Sequence, residues 1–268
     1  METARYHQRV LDPPIVLPPV RPGEPLTISA SLYITFARCP EQAAGRLRGE
    51  YPVETRRSFV GGLAHRIFAR HLSRGPIEPG GFSAACREEI GSGMNQKLAA
   101  LGVKPSELGR VIEEVGELYD RFRSLGADGF AGAEVHLEVE PAPALTLRGS
   151  VDAVFEEGGG VRLVDWKTGS LGEPEPQLGF YALLWAMERG ELPVRLEAVS
   201  VSSGERIESA PTRDDVEAVA DRVSAVAGAL RQAWEGSPLE RSAGPWCRWC
   251  PLLEQCDEGR SAAALLQG

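Results

Sequence analysis

The sequence predicts a mixed α/β (α+β) domain in which helices come first, a β-meander follows and helices close the chain. Three observations carry that prediction. Residues 57–75, "RSFVGGLAHRIFARHLSRG", repeat apolar side chains at helical spacing through Phe59, Val60, Leu63, Ile67, Phe68 and Leu72. Residues 133–140, "AEVHLEVE", alternate instead, with Val135, Leu137 and Val139 on one face and Glu134, His136, Glu138 and Glu140 on the other. "LTLRGSVDAVFEE" (145–157) and "VRLVDWKTG" (161–169) then read as two strands around the turn glycines 158–160.

The remaining elements follow in order. Residues 1–25 are rich in Pro and read as an extended N-terminal arm, ahead of a single domain over 26–268. "LTISASLYITFARC" (26–39) looks like a helix start with Ser29 or Ser31 as its cap. Residues 83–101 and 105–126 read as two more helices after the break at "GGF". "EPQLGFYALLWAMERG" (175–190) has Pro near its start and Gly at its end, the usual polarity of a helix. Residues 195–209 read as a strand and a hairpin arm, and 212–234 as a long helix capped by Thr212. The tail carries "GPWCRWCPLLEQC".

Composition narrows the function classes. The chain has 268 residues, 43% hydrophobic and 25% charged, as an ordinary globular protein does. No apolar run is long enough to cross a bilayer and there is no basic, apolar leader, so a cytoplasmic location and no membrane partner are expected. A net charge of −9 argues against a general DNA-coating protein, yet residues 1–75 hold 11 Arg against 6 acids, a basic face that could track phosphates. Lysine is scarce: Lys97, Lys104 and Lys167 stand against 26 Arg. That makes Lys167 informative, because an ammonium is a compact point charge that a guanidinium does not replace.

Lys167 ends an apolar strand beside Asp165. With a two-residue turn at Gly158–Gly159, Asp152 falls directly opposite Asp165, with Cβ atoms about 5 Å apart on one face, and Lys167 lies two residues further along that face. Two carboxylates so placed repel unless a cation lies between them. Carboxylate oxygens suit Mg²⁺ or Mn²⁺, which could activate water and stabilise a phosphoryl transition state. The hairpin alone equally describes an Asp–Lys–Asp ion cluster.

The wider pattern adds to this. Gly149-Ser-Val-Asp152, then Asp165-Trp-Lys167-Thr-Gly169, then Gln177-x-x-x-Tyr181 resembles the RecB-like branch of the PD-(D/E)XK nuclease superfamily. The resemblance implies a restriction-endonuclease-like core with a central mixed sheet flanked by helices. It implies that Asp152 and Asp165 bind the metal with the Trp166 backbone carbonyl, that Lys167 is catalytic, and that Gln177 and Tyr181 orient the site and touch DNA. That branch also uses a helical His upstream as a metal ligand, which "GGLAHRIFARHL" matches at His65. His71 and His136 lack that context. Glu134 corresponds to an acid that some relatives add, but its alternating neighbours read as a solvent face, so it stays outside the predicted site.

Five cysteines complete the pattern: Cys39, Cys86, Cys247, Cys250 and Cys256. C-x2-C-x5-C near a chain end points to a metal rather than to disulfides in a cytoplasmic protein, and three thiolates call for a fourth ligand. One Cys before the core and C-x2-C-x5-C after it resembles the iron–sulfur type of RecB-like nuclease, as in AddB nuclease domains and CRISPR-associated adaptation exonucleases. The resemblance implies a 4Fe–4S cluster on Cys39, Cys247, Cys250 and Cys256 that joins the N- and C-terminal helical segments; zinc is the alternative. Cys86 reads as a plain buried or surface thiol. The expected function is a Mg²⁺- or Mn²⁺-dependent DNA nuclease, an exonuclease on single strands or DNA ends, in DNA repair and recombination or CRISPR adaptation. The alternative is a non-catalytic DNA-end-binding scaffold. The chain lacks G-x-x-x-x-G-K-[ST], so any motor is a separate partner helicase, and a CRISPR adaptation protein is the other partner implied.

Overall fold

The structure is a computed structural model that describes residues 11–104 and 106–266. Residues 1–10 of the predicted arm lie outside the described residues. The rest of that arm is extended as expected, but it is fastened to the body. Ile15 is buried, the Leu11 amide donates to Gly190 O at 2.7 Å, and the buried Arg231 donates to the carbonyls of Arg21 and Ala144.

A six-stranded mixed sheet forms the centre. Its spine is β3 (Leu145–Glu157). β2 (Phe130–Ala142) pairs antiparallel along one edge of β3. The other edge is shared by two strands. The first is β1 (Leu26–Ser29), which runs parallel to Leu145–Arg148; the second is β4 (Gly160–Lys167), antiparallel to Ala153–Glu157. Among the described ladders, residues 149–152 of β3 therefore have no partner strand on that edge, and this gap is where the site forms. β5 (Arg195–Ser200) runs parallel to β4, and β6 (Arg206–Ser209) closes the far edge. The β3–β4 register is the expected one: Ala153 faces Val164 and Val154 faces Leu163.

Helices cover both faces. On one side lie α1 (Ala30–Arg38), α7 (Glu175–Arg189) and α8 (Arg213–Trp234), packed with Leu147, Val151 and Leu163. On the other lie α3 (Arg56–Arg74), α4 (Phe82–Gly93) and α6 (Leu108–Phe122), packed with Ala153, Phe155, Val164 and Trp166. Alternate residues of a strand share one face. Val151 and Ala153 nevertheless feed opposite cores. β3 therefore rotates locally at Asp152, and Glu134, which β2 places opposite it, has a φ of 50°. A non-glycine residue in that region is strained, a condition concentrated at functional sites.

Three expectations change. "LTIS" is the strand β1, after which the Ser29 hydroxyl caps α1 by accepting from the Leu32 amide. The helix expected over 83–101 breaks at Met94 into α4 and α5 (Asn95–Ala100), and the one expected from 105 begins at Leu108. The tail after α2 (Pro40–Leu47) and α8 folds as two short 3-10 turns followed by α9 (Asp257–Leu265). α7 and α8 begin and end as expected, with Gly190 at φ 71° behind α7 and a Thr212–Asp215 capping box ahead of α8.

Candidate active site

Asp152 sits where β3 and β4 part. Its Oδ2 accepts from the Trp166 amide at 2.7 Å, so a carboxylate takes over a main-chain donor just past the end of the ladder. Its Oδ1 lies 3.1 Å from His65 Nδ1. α3 brings His65 in because its glycines allow a close approach: a Cβ on Gly61 would stand 3.2 Å from Thr168 Oγ1. Glu134 joins from β2, and its carboxylate accepts from the Ser150 hydroxyl at 3.2 Å. Among the described residues, His65, Glu134 and Asp152 form the one group offering three metal-ligating atoms within 4.8 Å of one another. One imidazole and two carboxylates fit a divalent ion of the Mg²⁺ or Mn²⁺ class. Glu134, left to the solvent face by its alternating neighbours, is the residue that strand periodicity missed.

Asp165 is 2% exposed and points into the same gap. Its Oδ2 is buried and makes no hydrogen bond; Lys167 Nζ lies 2.7 Å away, an ion pair without hydrogen-bond alignment. Lys167 Nζ also donates to Gln177 Oε1 at 2.6 Å. The Gln177 amide nitrogen donates to Asp165 Oδ1 at 2.7 Å and to Tyr181 Oη at 2.8 Å. Gln177 thus reads both charged groups at once, and Tyr181, four residues on along α7, holds it. Tyr181 is 4% exposed, so its contact here is an orienting one, without surface to offer DNA. α7 reaches β3 through Gly149, where a Cβ would stand 2.9 Å from Leu184 Cδ1 and 3.0 Å from Tyr181 Cε1. The Trp166 side chain is buried edge-on against Phe122.

The charges interact strongly. Burial would lower the His65 pKa, but the carboxylates of Asp152, Asp165 and Glu134 outweigh it and lift the value to about 9. Burial, and then the Asp152 charge, push Asp165 up to about 6 against the pull of Lys167. Burial and then Asp152 also raise Glu134. Burial, and then Asp165, hold Tyr181 well above its ordinary range, so it stays a neutral phenol. A cation bound beside Asp165 and Glu134 would lower both values again.

Cys39, Cys247, Cys250 and Cys256 line one small cavity between the start of α2 and the tail. Burial, and behind it the neighbouring thiols of Cys39, Cys247 and Cys256, raise the Cys250 pKa. The Gly244 and Gly259 amides reach Cys247 Sγ and Cys256 Sγ at 3.4 and 3.3 Å. Cys86 lies apart, buried in α4, where burial pushes its thiol up to about 12. His71 bonds Tyr119 at 2.8 Å and His136 pairs with Glu138; neither belongs to the site.

No curated protein matches the sequence. The chain is similar in structure to a putative exonuclease from Eubacterium rectale, at a TM-score of 0.54 and 15% identity over 88% of this chain and 87% of that one. The crystal structure of SSO0001 aligns over 88% of each chain at 14% identity, with a TM-score of 0.38. At such identities the first likeness speaks to fold alone. The sequence comparison goes further: the family model described as the PD-(D/E)XK nuclease superfamily matches residues 27–257, a span that contains all of β1 but Leu26, the His65 helix, both aspartates, Lys167 and all the cavity cysteines. This chain belongs to the PD-(D/E)XK nuclease superfamily.

Proposed function

We propose that the chain is a Mg²⁺- or Mn²⁺-dependent deoxyribonuclease, an exonuclease that acts on single-stranded DNA or DNA ends. The observation that carries this reading is the convergence of His65, Glu134 and Asp152 within 4.8 Å beside the Asp165–Lys167 pair. His65, Asp152, Glu134 and Asp165 would hold the ion, with the Trp166 carbonyl as a further oxygen. When bound, the ion supplies Lewis acidity toward the phosphoryl oxygen and lowers the pKa of water into a useful range. Lys167 presents its ammonium to the phosphodiester and offsets negative charge as it develops; Asp165 and Gln177 fix where that ammonium stands. The buried strand behind it keeps bulk water away and strengthens each of these interactions. Incubation of end-labelled single-stranded DNA with Mg²⁺ or Mn²⁺ tests this. Stepwise degradation that EDTA stops is expected, and intact DNA at every metal concentration contradicts it.

We further propose that Cys39, Cys247, Cys250 and Cys256 hold a 4Fe–4S cluster that ties the two ends of the domain. Four thiolates suit such a cluster and also suit zinc. The four thiols ring one cavity, which brings them together as either group requires. A broad absorbance band near 400 nm in anaerobically purified protein supports iron; colourless protein that contains zinc refutes it.

A further inference from the structure

We propose that the cleft running from His65 along α3 to Arg74 is the path of a single DNA strand's phosphates, held by Arg66, Arg70, Arg74 and Lys97. The inference rests on the nuclease reading and names the substrate track of that site. One open cleft of about 630 Å³ has the metal-ligating group at one end and these four cations on its walls. Its volume is that of a small-molecule pocket, enough to take the backbone of one strand.

The spacing is regular. Arg66, Arg70 and Arg74 recur every four residues and so line one helical face, and His65 opens onto the same cleft from a neighbouring edge of α3. Lys97 stands on the opposite wall, on α5. Two of the arginines are held in place from α4. Arg66 Nε pairs with Glu89 at 3.1 Å and its Nη2 donates to the Ser92 hydroxyl at 2.7 Å, while Arg70 Nη1 reaches Glu88 at 2.8 Å. Gly93 permits the close packing, since a Cβ there would stand 3.2 Å from Arg66 Nη1. A guanidinium has five N–H donors, so these bonds leave several for an anion. Glu88 and Glu89 pair with Arg66 and Arg70 and Glu54 lies 4.0 Å from Lys97, while Arg74 makes no ion pair among the described residues, so a phosphate would be met by Arg74 and by the spare N–H donors of the paired cations.

The test is equilibrium binding of a fluorescent single-stranded oligonucleotide in EDTA, which needs no catalysis, beside cleavage in Mn²⁺. Arg70→Ala/Arg74→Ala should weaken binding roughly tenfold at moderate salt and reduce the log–log salt slope by about 1.4, at about 0.7 for each phosphate left without its cation. Arg74→Ala/Lys97→Ala, at two exposed positions, should reproduce the weakening without disturbing the Glu88–Glu89 pairs. Arg213→Ala, on α8, should bind as wild type does. Wild-type affinity and slope in both double variants overturn the strand path while leaving the nuclease reading intact. Equal competition by a duplex overturns the single-strand assignment. Wild-type protein that binds but does not cleave keeps the path and removes the nuclease, and protein that does neither removes both.

Discussion

A divalent ion at the proposed site would have to displace a proton from His65. Its pKa, lifted to about 9 by Asp152 and its neighbouring carboxylates against the effect of burial, lies above the ordinary value of about 6.5. The sign follows from linkage. The stabilisation from the charged imidazole is fully present below about pH 6.5 and is lost as pH rises through about 9. In EDTA, the melting temperature of wild type relative to His65→Gln should therefore fall between those values. The gain in melting temperature from Mn²⁺ should grow over the same range, because only neutral imidazole is a ligand. A metal-induced gain that shrinks with rising pH would contradict His65 as a ligand. Glu134 gives a second test. It holds a φ of 50°, which costs a non-glycine residue about 1–2 kcal/mol, and its charge faces Asp152. Glu134→Gly should leave urea stability unchanged or raise it by up to about 1 kcal/mol while cutting Mn²⁺ affinity at least tenfold. A variant that loses stability and keeps its affinity would make Glu134 structural.

Elements position these residues, and α7 meets β3 closely at Gly149. Gly149→Ala places a methyl 2.9 Å from Leu184 Cδ1 and 3.0 Å from Tyr181 Cε1, so those side chains must shift, and Tyr181 is the one that accepts from the Gln177 amide. Overpacking of that kind costs about 1–3 kcal/mol, and cleavage should fall further than urea stability accounts for. Unchanged cleavage would show that Gln177 needs no fixed place. Much of this element geometry was legible. The β3–β4 hairpin turns at Gly158–Gly159 without irregularity, so counting outward set Asp152 opposite Asp165, and the ladder has that register. The same counting fails on the β2–β3 hairpin. From the turn at 143–144 it sets Glu134 against Ala153, but an irregularity between Val139 and Ala142 shifts the register by one and brings Glu134 opposite Asp152. β1 was hidden because four residues show too little alternation, and its partner lies more than a hundred residues away. The helical pattern breaks at Met94 directly after Gly91 and Gly93, glycines that the apolar periodicity runs through.

At the scale of the whole molecule, the segment around Cys39 and the 241–259 tail meet at the cysteine cavity. Cys39 and Cys247 are far apart in sequence, so a shared metal group closes a loop through most of the domain. Cys39→Ser should remove any bound iron or zinc and lower stability by about 4–5 kcal/mol, the loop-closure value for a cross-link of that span, read as a large drop in melting temperature. A variant that melts with wild type would leave the thiols without a structural role. The sequence spacing foretold which cysteines gather, because C-x2-C-x5-C is local; the fit of Cys39 beside them depends on β1 and α2, which only the fold supplies. The central claim is that Asp152, Asp165 and Lys167 form a hydrolytic site. It is tested most directly by the rate of single-stranded DNA cleavage at saturating Mn²⁺ for wild type and for Lys167→Ala, with circular dichroism to establish that both fold. The site as built predicts metal-dependent cleavage by wild type and a drop of at least 100-fold in the variant, in line with the removal of a group that meets developing charge. Equal rates in the two proteins, or no cleavage by wild type, would contradict it.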